Sequence, residues 1–311
     1  MNLPEGYASR PAVLEDLDAV AALIDAWDLV NFGDANANRE GVQYEWGAPW
    51  VDLARDVRVI HAPDGELAAY ALHSSPDPTA RYETDAFVHP AHQGRGLGSA
   101  IVMWAEAKTR SQLAPGTDIA LWDAAPDAEG IRLLETNGYS HIRTFFQMLI
   151  DLERTFDAGG TPEGLVIRGL VPGEDERGAF ETIDEAFSTH FGYFKEPFEQ
   201  WWEHQFADET FDPRLGVVAE AAGQIVGASI NGVIDGTGWV HELGVRRAWQ
   251  GRGIGRALLR HTFALFAAEG VKVARLGVDT ENVTGALGLY RSVGMRPVRE
   301  WRVFEKLVEA D

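Results

Sequence analysis

The stretch VRRAWQGRGIGR occupies residues 245–256, between an apolar run that ends at Val245 and a strongly helical pattern that begins at Gly255. This order predicts a strand, a glycine-spaced loop and a helix. The first N–H groups of a helix have no partners within the helix, and the helix dipole is positive there, so such a loop attracts anions. Glycine lets a phosphate approach the backbone closely and permits positive φ. The stretch therefore predicts a phosphate-binding loop.

The spacing of the glycines distinguishes this loop from other phosphate-binding loops. It lacks the G-x-x-x-x-G-K-[ST] of a Walker loop, and its G-x-G-x-G differs from the dinucleotide-binding G-x-G-x-x-G. The pattern Q-x-x-G-x-G after a strand that ends in L-x-V resembles the acetyl-CoA loop of the GNAT N-acetyltransferases, which holds the CoA pyrophosphate. The resemblance implies acetyl-CoA as the acyl donor. The implied contact residues are Leu243, Gly244, Val245, Gln250, Gly251, Arg252, Gly253, Ile254, Gly255 and Arg256.

The same pattern occurs 157 residues earlier, where residues 88–98 read VHPAHQGRGLG. A repeat of this length predicts two copies of a domain. The resemblance implies an α/β protein with two tandem GNAT folds, each a mixed α+β sheet with helices on both faces. The corresponding cofactor-binding candidates of the first copy are Ala86, Phe87, Val88, Gln93, Gly94, Arg95, Gly96, Leu97, Gly98 and Ser99.

The length of 311 residues suits two domains, each large enough for its own core. The sequence DAGGTPEG at residues 157–164 has the composition of a linker. We therefore predict an N-terminal GNAT domain at residues 1–156, the linker, and a C-terminal GNAT domain at residues 165–311. A pseudo-symmetric pair of this kind predicts a monomer that imitates a GNAT dimer.

Composition excludes several classes of function. The net charge of −21 and the pI of about 4.8 argue against nucleic acid or an anionic membrane as partner, because both require basic surface. The absence of cysteine excludes disulfides, a cysteine nucleophile and cysteine metal sites, and no metal is expected. The sequence shows no signal peptide and no apolar run of about 18 residues, so we expect a cytoplasmic protein.

The two copies differ at the positions that carry chemistry. The second copy has Asn282 and Tyr290, where alignment of the copies gives Pro126 and Leu134 in the first. In GNAT enzymes the matching tyrosine commonly protonates the departing thiolate, and the matching asparagine helps to hold the cofactor. The resemblance thus implies a catalytic C-terminal copy. It leaves open whether the non-catalytic N-terminal copy binds CoA.

A catalytic base is also expected, because an alkyl amine with a pKa near 10.4 is neutral in only about one part in 10³ at pH 7. His241 and Glu242 are the candidates. Strict alternation places His241 on the face of Leu243 and Val245, and Glu242 on the other face. GNAT folds usually carry a bulge on this strand, which can redirect one side chain. Both residues stay candidates, and the backbone N–H groups of Leu243 and Val245 are expected to polarise the acetyl group.

The aromatic segment 190–211 and its less aromatic counterpart 32–50 occupy the region that lines the acceptor cleft in GNATs. The alternative is that these aromatic side chains belong to the hydrophobic core. Four nearby acids could attract an amine or simply face solvent: Asp184, Glu185, Glu203 and Glu209. We predict acetyl-CoA-dependent N-acetylation of a small-molecule primary amine by direct attack on the thioester. The tandem arrangement resembles the mycothiol synthases, which implies a cysteinyl amine as an alternative acceptor. A protein-modifying acetyltransferase and a non-enzymatic acyl-CoA sensor or scaffold are further alternatives.

Overall fold

A computed structural model describes residues 1–35, 39–152, 160–206, 212–282 and 284–310. The chain forms two compact units. Unit 1 comprises Met1–Thr144 and Trp301–Asp311, and unit 2 comprises Phe145–Glu300. These bounds differ from the predicted division at the linker 157–164, of which residues 157–159 lie outside the described part. The difference arises because a strand from each half of the sequence completes the unit of the other half.

Unit 1 is a mixed sheet with helices on both faces. Its strands are β1 (Ala8–Pro11), β2 (Val57–His61), β3 (Leu67–Ser74), β4 (Arg81–Val88) and β5 (Asp118–Ala125), adjacent in that order. Its helices are α1 (Leu17–Phe32), α2 (Arg39–Trp46), α3 (Leu53–Asp56), α4 (Leu97–Gln112) and α5 (Ala128–Thr136). Tyr70 and Leu72 of β3 pack with α1, whereas Ala69 and Ala71 pack with α4. Alternate residues of one strand therefore serve two cores.

Unit 2 repeats this architecture. Its strands are β6 (Ser140–Asp151, from Phe145 onward), β7 (Val166–Gly169), β8 (Val217–Ala221), β9 (Gln224–Ile234), β10 (Thr237–Val245) and β11 (Val273–Asp279). Its helices are α6 (Glu176–Phe187), α7 (Phe198–Phe206), α8 (Ile254–Ala268) and α9 (Ala286–Ser292). The sheet order is β6–β11–β10–β9–β8–β7. Val218 packs with α6 and Val217 with α8, so the predicted mixed sheet with helices on both faces is confirmed.

The last strand of each unit comes from the other half of the sequence. In unit 2, residues 145–151 of β6 pair antiparallel with β11. In unit 1, residues 302–309 of the final strand, β12 (Arg296–Glu309), pair antiparallel with β5. The buried side chains follow the strands, since Met148 lies in a core of unit 2 and Phe304 in a core of unit 1.

This exchange predicts that a residue near the C-terminal end stabilises the unit formed by the N-terminal half. Phe304 is 1% exposed and packs with Leu121 and Leu134. Phe304→Ala should lower the free energy of unfolding by about 3–5 kcal/mol, because it leaves a cavity in that core. Urea unfolding followed by tryptophan fluorescence measures the loss.

Leu307→Ala is the matched control, because Leu307 lies on the same strand and is 61% exposed. Its effect should stay within about 0.5 kcal/mol. Equal losses in the two variants would show that Phe304 does not occupy that core.

Candidate active site

The second glycine loop connects β10 to α8. A 3₁₀ turn, Arg247–Trp249, follows the strand, and the side-chain amide of Gln250 donates to the carbonyl of Val245 at 3.0 Å. Gly251 and Gly253 have φ values of 75° and 82°, and no described atom lies within 4 Å of the position that a Cβ would take. Backbone conformation therefore requires glycine here, and α8 begins at the next residue.

The third glycine of the loop has a packing role. A Cβ on Gly255 would lie 3.0 Å from the Leu289 side chain, so glycine lets α8 approach α9 closely. The unpaired N–H groups of the first turn of α8 point toward the loop, where the helix dipole is positive. Arg252 and Arg256 are exposed beside it. The arrangement suits a pyrophosphate.

A gap opens between β10 and β11 because the two strands pair over only a short stretch. Thr237–Trp239 pairs with Val273–Arg275, whereas β10 stays paired with β9 as far as Val245. The N–H of Arg246 donates to β9 at 2.9 Å. Since N–H direction alternates along a strand, the N–H groups of Val245 and Leu243 point into the gap. They are correctly oriented to bind a carbonyl oxygen.

A cavity of about 730 Å³ is bounded by both the glycine loop and the gap. This volume is typical of sites for small molecules and cofactors. Gly244 and Arg252 do not line it. The predicted cofactor-binding residues in its wall are Leu243, Val245, Gln250, Gly251, Gly253, Ile254, Gly255, Arg256 and Asn282.

Glu242 lies in the wall of this cavity. The pairing of β10 with β9 shifts register between Val240 and Glu242, which is the expected bulge. The indole N–H of Trp201 donates to the Glu242 carboxylate at 3.0 Å. The pKa of Glu242 is raised to about 7, chiefly by burial; the hydrogen bond from Trp201 lowers the pKa, and the charge of Glu196 raises it. Glu242 therefore titrates near neutral pH.

His241, the other predicted candidate for the base, lies elsewhere. Its side chain is exposed and does not line the cavity. Its Nε2 is 2.9 Å from the position that a Cβ on Gly232 would take, on the neighbouring strand β9. Alternation alone could not choose between the two residues, because the bulge interrupts it.

Tyr290 reaches the cavity from α9. It is 8% exposed, and burial raises the pKa of its hydroxyl to about 12. The hydroxyl therefore keeps its proton across the ordinary pH range, so it can act as a proton donor.

Asn282 also lines the cavity, and it orders the turn before α9. Its carbonyl oxygen accepts hydrogen bonds from the backbone N–H and hydroxyl of Thr284 at 2.8 and 2.6 Å. Its amide nitrogen lies 3.4 Å from Nε2 of His190. Burial lowers the pKa of His190, which keeps its ring neutral at pH 7.

Some residues of the predicted acceptor region line the cavity, and others do not. Asp184 lines the cavity, whereas Glu185 is paired with Arg246 at 3.0 Å. Glu203 is exposed outside the cavity, and Glu209 lies outside the described residues. Sequence reasoning missed Glu196, which lines the cavity without belonging to any motif. The aromatic residues of this region that line the cavity are Phe191, Tyr193, Phe194 and Trp201.

Comparison with known proteins identifies the fold and its chemistry. The sequence model of the Acetyltransferase (GNAT) family matches residues 22–139 and 180–295, one match in each copy. This chain belongs to the GNAT acetyltransferase family. It is therefore an enzyme that uses acyl-CoA, and the predicted tandem arrangement is confirmed.

Three similar proteins match most of this chain. A GCN5-related N-acetyltransferase from Sphaerobacter thermophilus is 34% identical, with a TM-score of 0.85 over 99% of this chain and 98% of that one. A mycothiol acetyltransferase from Streptomyces avermitilis is 28% identical over 89% of this chain and 87% of its own length. A tandem GNAT protein of the clavulanic acid biosynthesis pathway, 14% identical, shares the fold with a TM-score of 0.74 over 98% of this chain and 99% of that one.

The first GNAT copy keeps the backbone of the loop. Gly94 and Gly96 have φ values of 70° and 85°, and α4 begins at Leu97. The N–H of His89 donates to Ala68 on β3, so by alternation the N–H groups of Ala86 and Val88 point away from β3, toward β5. β4 and β5 also separate after four paired residues.

The side chains of the first copy differ from those of the second. Leu134 stands where the second copy has Tyr290, and it is 2% exposed in the core. Phe87, the counterpart of Gly244, packs edge-on against the ring of Trp27 at 5.1 Å. The pairing of β3 with β4 shows no register shift over its described length. This copy therefore lacks the tyrosine, and its strand lacks the bulge.

Residues near the start of the chain also cover the first glycine loop. Pro4 lies 3.6 Å from the position that a Cβ on Gly96 would take. The Tyr7 hydroxyl contacts Nδ1 of His92 at 3.0 Å and accepts from Arg95 at 3.2 Å. Gly98 packs α4 against Leu133, as Gly255 packs α8 against α9. Gln93 and Ser99 stay cofactor-binding predictions.

None of the described helices is long and apolar enough to cross a membrane. Within the described residues, no group of three or more histidine, aspartate or glutamate side chains is arranged to hold a metal ion.

The two loops predict different responses to the same substitution. Gly253 and Gly96 are both helix N-cap residues in the left-handed region, so aspartate imposes about 1–2 kcal/mol of backbone strain at either. Gly253→Asp should lower kcat/KM for acetyl-CoA by roughly 100-fold or more, because like charges about 4 Å apart repel by about 4 kcal/mol.

Gly96→Asp should leave kcat/KM within about twofold of wild type, since the loop of the first copy does not line the cavity. Release of CoA thiol measures both variants. A loss as large in Gly96→Asp would assign the reaction to the first copy.

Proposed function

We propose that unit 2 transfers an acetyl group from acetyl-CoA to a primary amine of a small molecule. The observation that carries this proposal is one cavity whose wall combines the glycine loop, the inward N–H groups of Leu243 and Val245, and the side chains of Glu242 and Tyr290. A site that only bound acyl-CoA would have no use for a base that titrates near pH 7 beside a proton donor.

The donor fits the residues present. The N–H groups of the loop and of the first turn of α8 hold the pyrophosphate, with Arg256 adding positive charge. The thioester lies in the gap, where the N–H groups of Leu243 and Val245 face its carbonyl oxygen. They stabilise the negative charge that develops there as the amine attacks, and they need no reorganisation because β9 fixes the strand.

Glu242 supplies the base. An ammonium group must lose a proton before its nitrogen can attack the carbonyl carbon. The ionised Glu242 carboxylate accepts this proton, directly or through a water molecule, while the hydrogen bond from Trp201 fixes its orientation. A pKa of about 7 gives a base that is substantially ionised at neutral pH.

Tyr290 supplies the acid. The carbon–sulfur bond breaks as the amide forms, and the sulfur leaves as a thiolate. The raised pKa keeps the Tyr290 hydroxyl protonated until that moment, when it can donate its proton to the sulfur. Asn282 supports the step by ordering the turn that leads into α9.

The acceptor is the least constrained part of the proposal. Relatives named mycothiol acetyltransferase favour a small molecule, and by resemblance a cysteinyl amine is the second candidate. A lysine-bearing protein is a weaker candidate, because the acceptor end is a cavity lined by aromatic side chains and not a flat groove. The monomeric state and the cytoplasmic location stay predictions.

The base assignment predicts a pH profile. With rates expressed per concentration of neutral amine, kcat/KM should rise with pH to a plateau, with an apparent pKa of about 7 set by Glu242. Glu242→Gln should lower kcat by roughly 10²–10⁴ and remove this acidic limb.

Trp201→Phe serves as the companion variant, since it removes the hydrogen bond that favours ionised Glu242. The acidic limb should move to higher pH, while acetyl-CoA affinity stays unchanged. An acidic limb that persists in Glu242→Gln would exclude Glu242 as the titrating base.

The acid assignment predicts a separation of binding from turnover. Tyr290→Phe should lower kcat by roughly 10²–10⁴, because the ring is kept and only the proton donor is lost. Calorimetry should show unchanged acetyl-CoA affinity. Undiminished turnover would refute the role of Tyr290.

A further inference from the structure

The acceptor end of the cavity is acidic and aromatic. Asp184, Glu196 and Glu242 line it, together with aromatic side chains of α6 and of residues 190–201. Among the described residues of the cavity wall, Arg256 is the one lysine or arginine, and it belongs to α8 beside the glycine loop. The charge at this end therefore favours a cationic ligand and opposes a carboxylate.

Glu196 differs from the acids around it. Asp184 accepts a hydrogen bond from the Tyr193 hydroxyl, and Glu199 lies 3.8 Å from Arg177. Oε1 of Glu196 is buried and has no hydrogen-bond partner in the described structure. A buried carboxylate oxygen without a partner is unfavourable, and a bound cation would offset that cost.

Glu196 and Glu242 are two acidic side chains of the same cavity wall. Both line the cavity, and the charge of Glu196 acts on Glu242, whose pKa it raises. Glu242 is held by the indole N–H of Trp201. The second carboxylate has no comparable partner, although it is not required for proton removal.

The walls around these carboxylates are apolar. Phe180, Phe187 and Trp201 line the cavity, and Phe180 and Trp201 pack together at 5.3 Å. Aromatic faces suit both a methylene chain and an adjacent ammonium group. The cavity wall thus offers two anionic positions with apolar surface around them.

We propose that Glu196 is a specificity residue that binds a second cationic group of the acceptor, so that the preferred acceptor is a diamine or polyamine. This inference rests on the proposed function, because it assigns the reacting amine to Glu242. The distal ammonium group pairs with Oε1 of Glu196 while the neutral amine attacks the thioester.

The test compares acceptors of similar length and different charge. Wild-type enzyme is assayed with 1,3-diaminopropane, 1,4-diaminobutane and spermidine, and with n-butylamine and 4-aminobutanoate. The best diamine should exceed n-butylamine in kcat/KM by roughly tenfold or more, because a hydrogen bond to a charged group is lost in the monoamine. The 4-aminobutanoate ion should be the poorest acceptor.

Glu196→Gln should lower kcat/KM for the diamines by roughly 10- to 100-fold through KM, and change n-butylamine by less than about twofold. The same substitution should also reduce the ratio of kcat/KM for the diamines to kcat/KM for 4-aminobutanoate. Glu199→Gln is the matched control, because Glu199 is exposed on α7 outside the cavity, and it should match wild type. Calorimetry with 1,4-diaminobutane on the CoA-bound enzyme provides a readout independent of turnover.

Equal kcat/KM for diamines and n-butylamine in wild type, or an equal loss for both in Glu196→Gln, would overturn the inference and leave the proposed function standing. Failure to acetylate any amine would overturn the proposed function. Diamine binding that disappears in Glu196→Gln would support the subsite even then. A clear preference for diamines would count against a cysteinyl amine as the acceptor.

Discussion

The site depends on the unequal pairing of the two edges of β10. One edge is hydrogen-bonded to β9 as far as Val245, whereas the other separates from β11 after Trp239. The paired edge fixes the strand, and the released edge points its N–H groups into a space that a ligand can enter. The bulge after Val240 then brings Glu242 into the wall of that space. One strand thus supplies both the inward N–H groups and Glu242, and the glycine loop begins where that strand ends.

The two copies show which features of the site depend only on backbone conformation and which depend on particular side chains. Positive φ at Gly94 and Gly96 reproduces the conformation of Gly251 and Gly253, so the loop geometry survives without any catalytic residue nearby. Proton transfer, in contrast, requires a side chain that can donate or accept a proton. A leucine in place of Tyr290 packs well in a core and cannot donate a proton, so the two copies share a fold and differ in the chemistry that their side chains permit.

Local features of this chain could be predicted from sequence, and long-range ones could not. The glycine loops follow from spacing within a few residues, and the bulge follows from the resemblance to the GNAT family. The choice between His241 and Glu242 required the geometry of the bulge, because the register shift against β9 interrupts the alternation and only Glu242 lines the cavity. Glu196 carries no motif and is significant only because of what surrounds it. The exchanged strands were missed because both halves have the same hydrophobic pattern, which does not specify the pairing partner of β5 or β11.

Unit 2 runs without interruption from Phe145 to Glu300, so it is an insertion within the sequence of unit 1. Unit 2 is also a circular permutant of unit 1, because β6, its outermost strand beside β11, comes first in the chain. Domains generally fold in the order in which they leave the ribosome. Here unit 2 can complete its sheet before unit 1, because β5 pairs with residues 302–309, which are synthesised last. The N-terminal half must therefore keep an open sheet edge throughout the synthesis of unit 2.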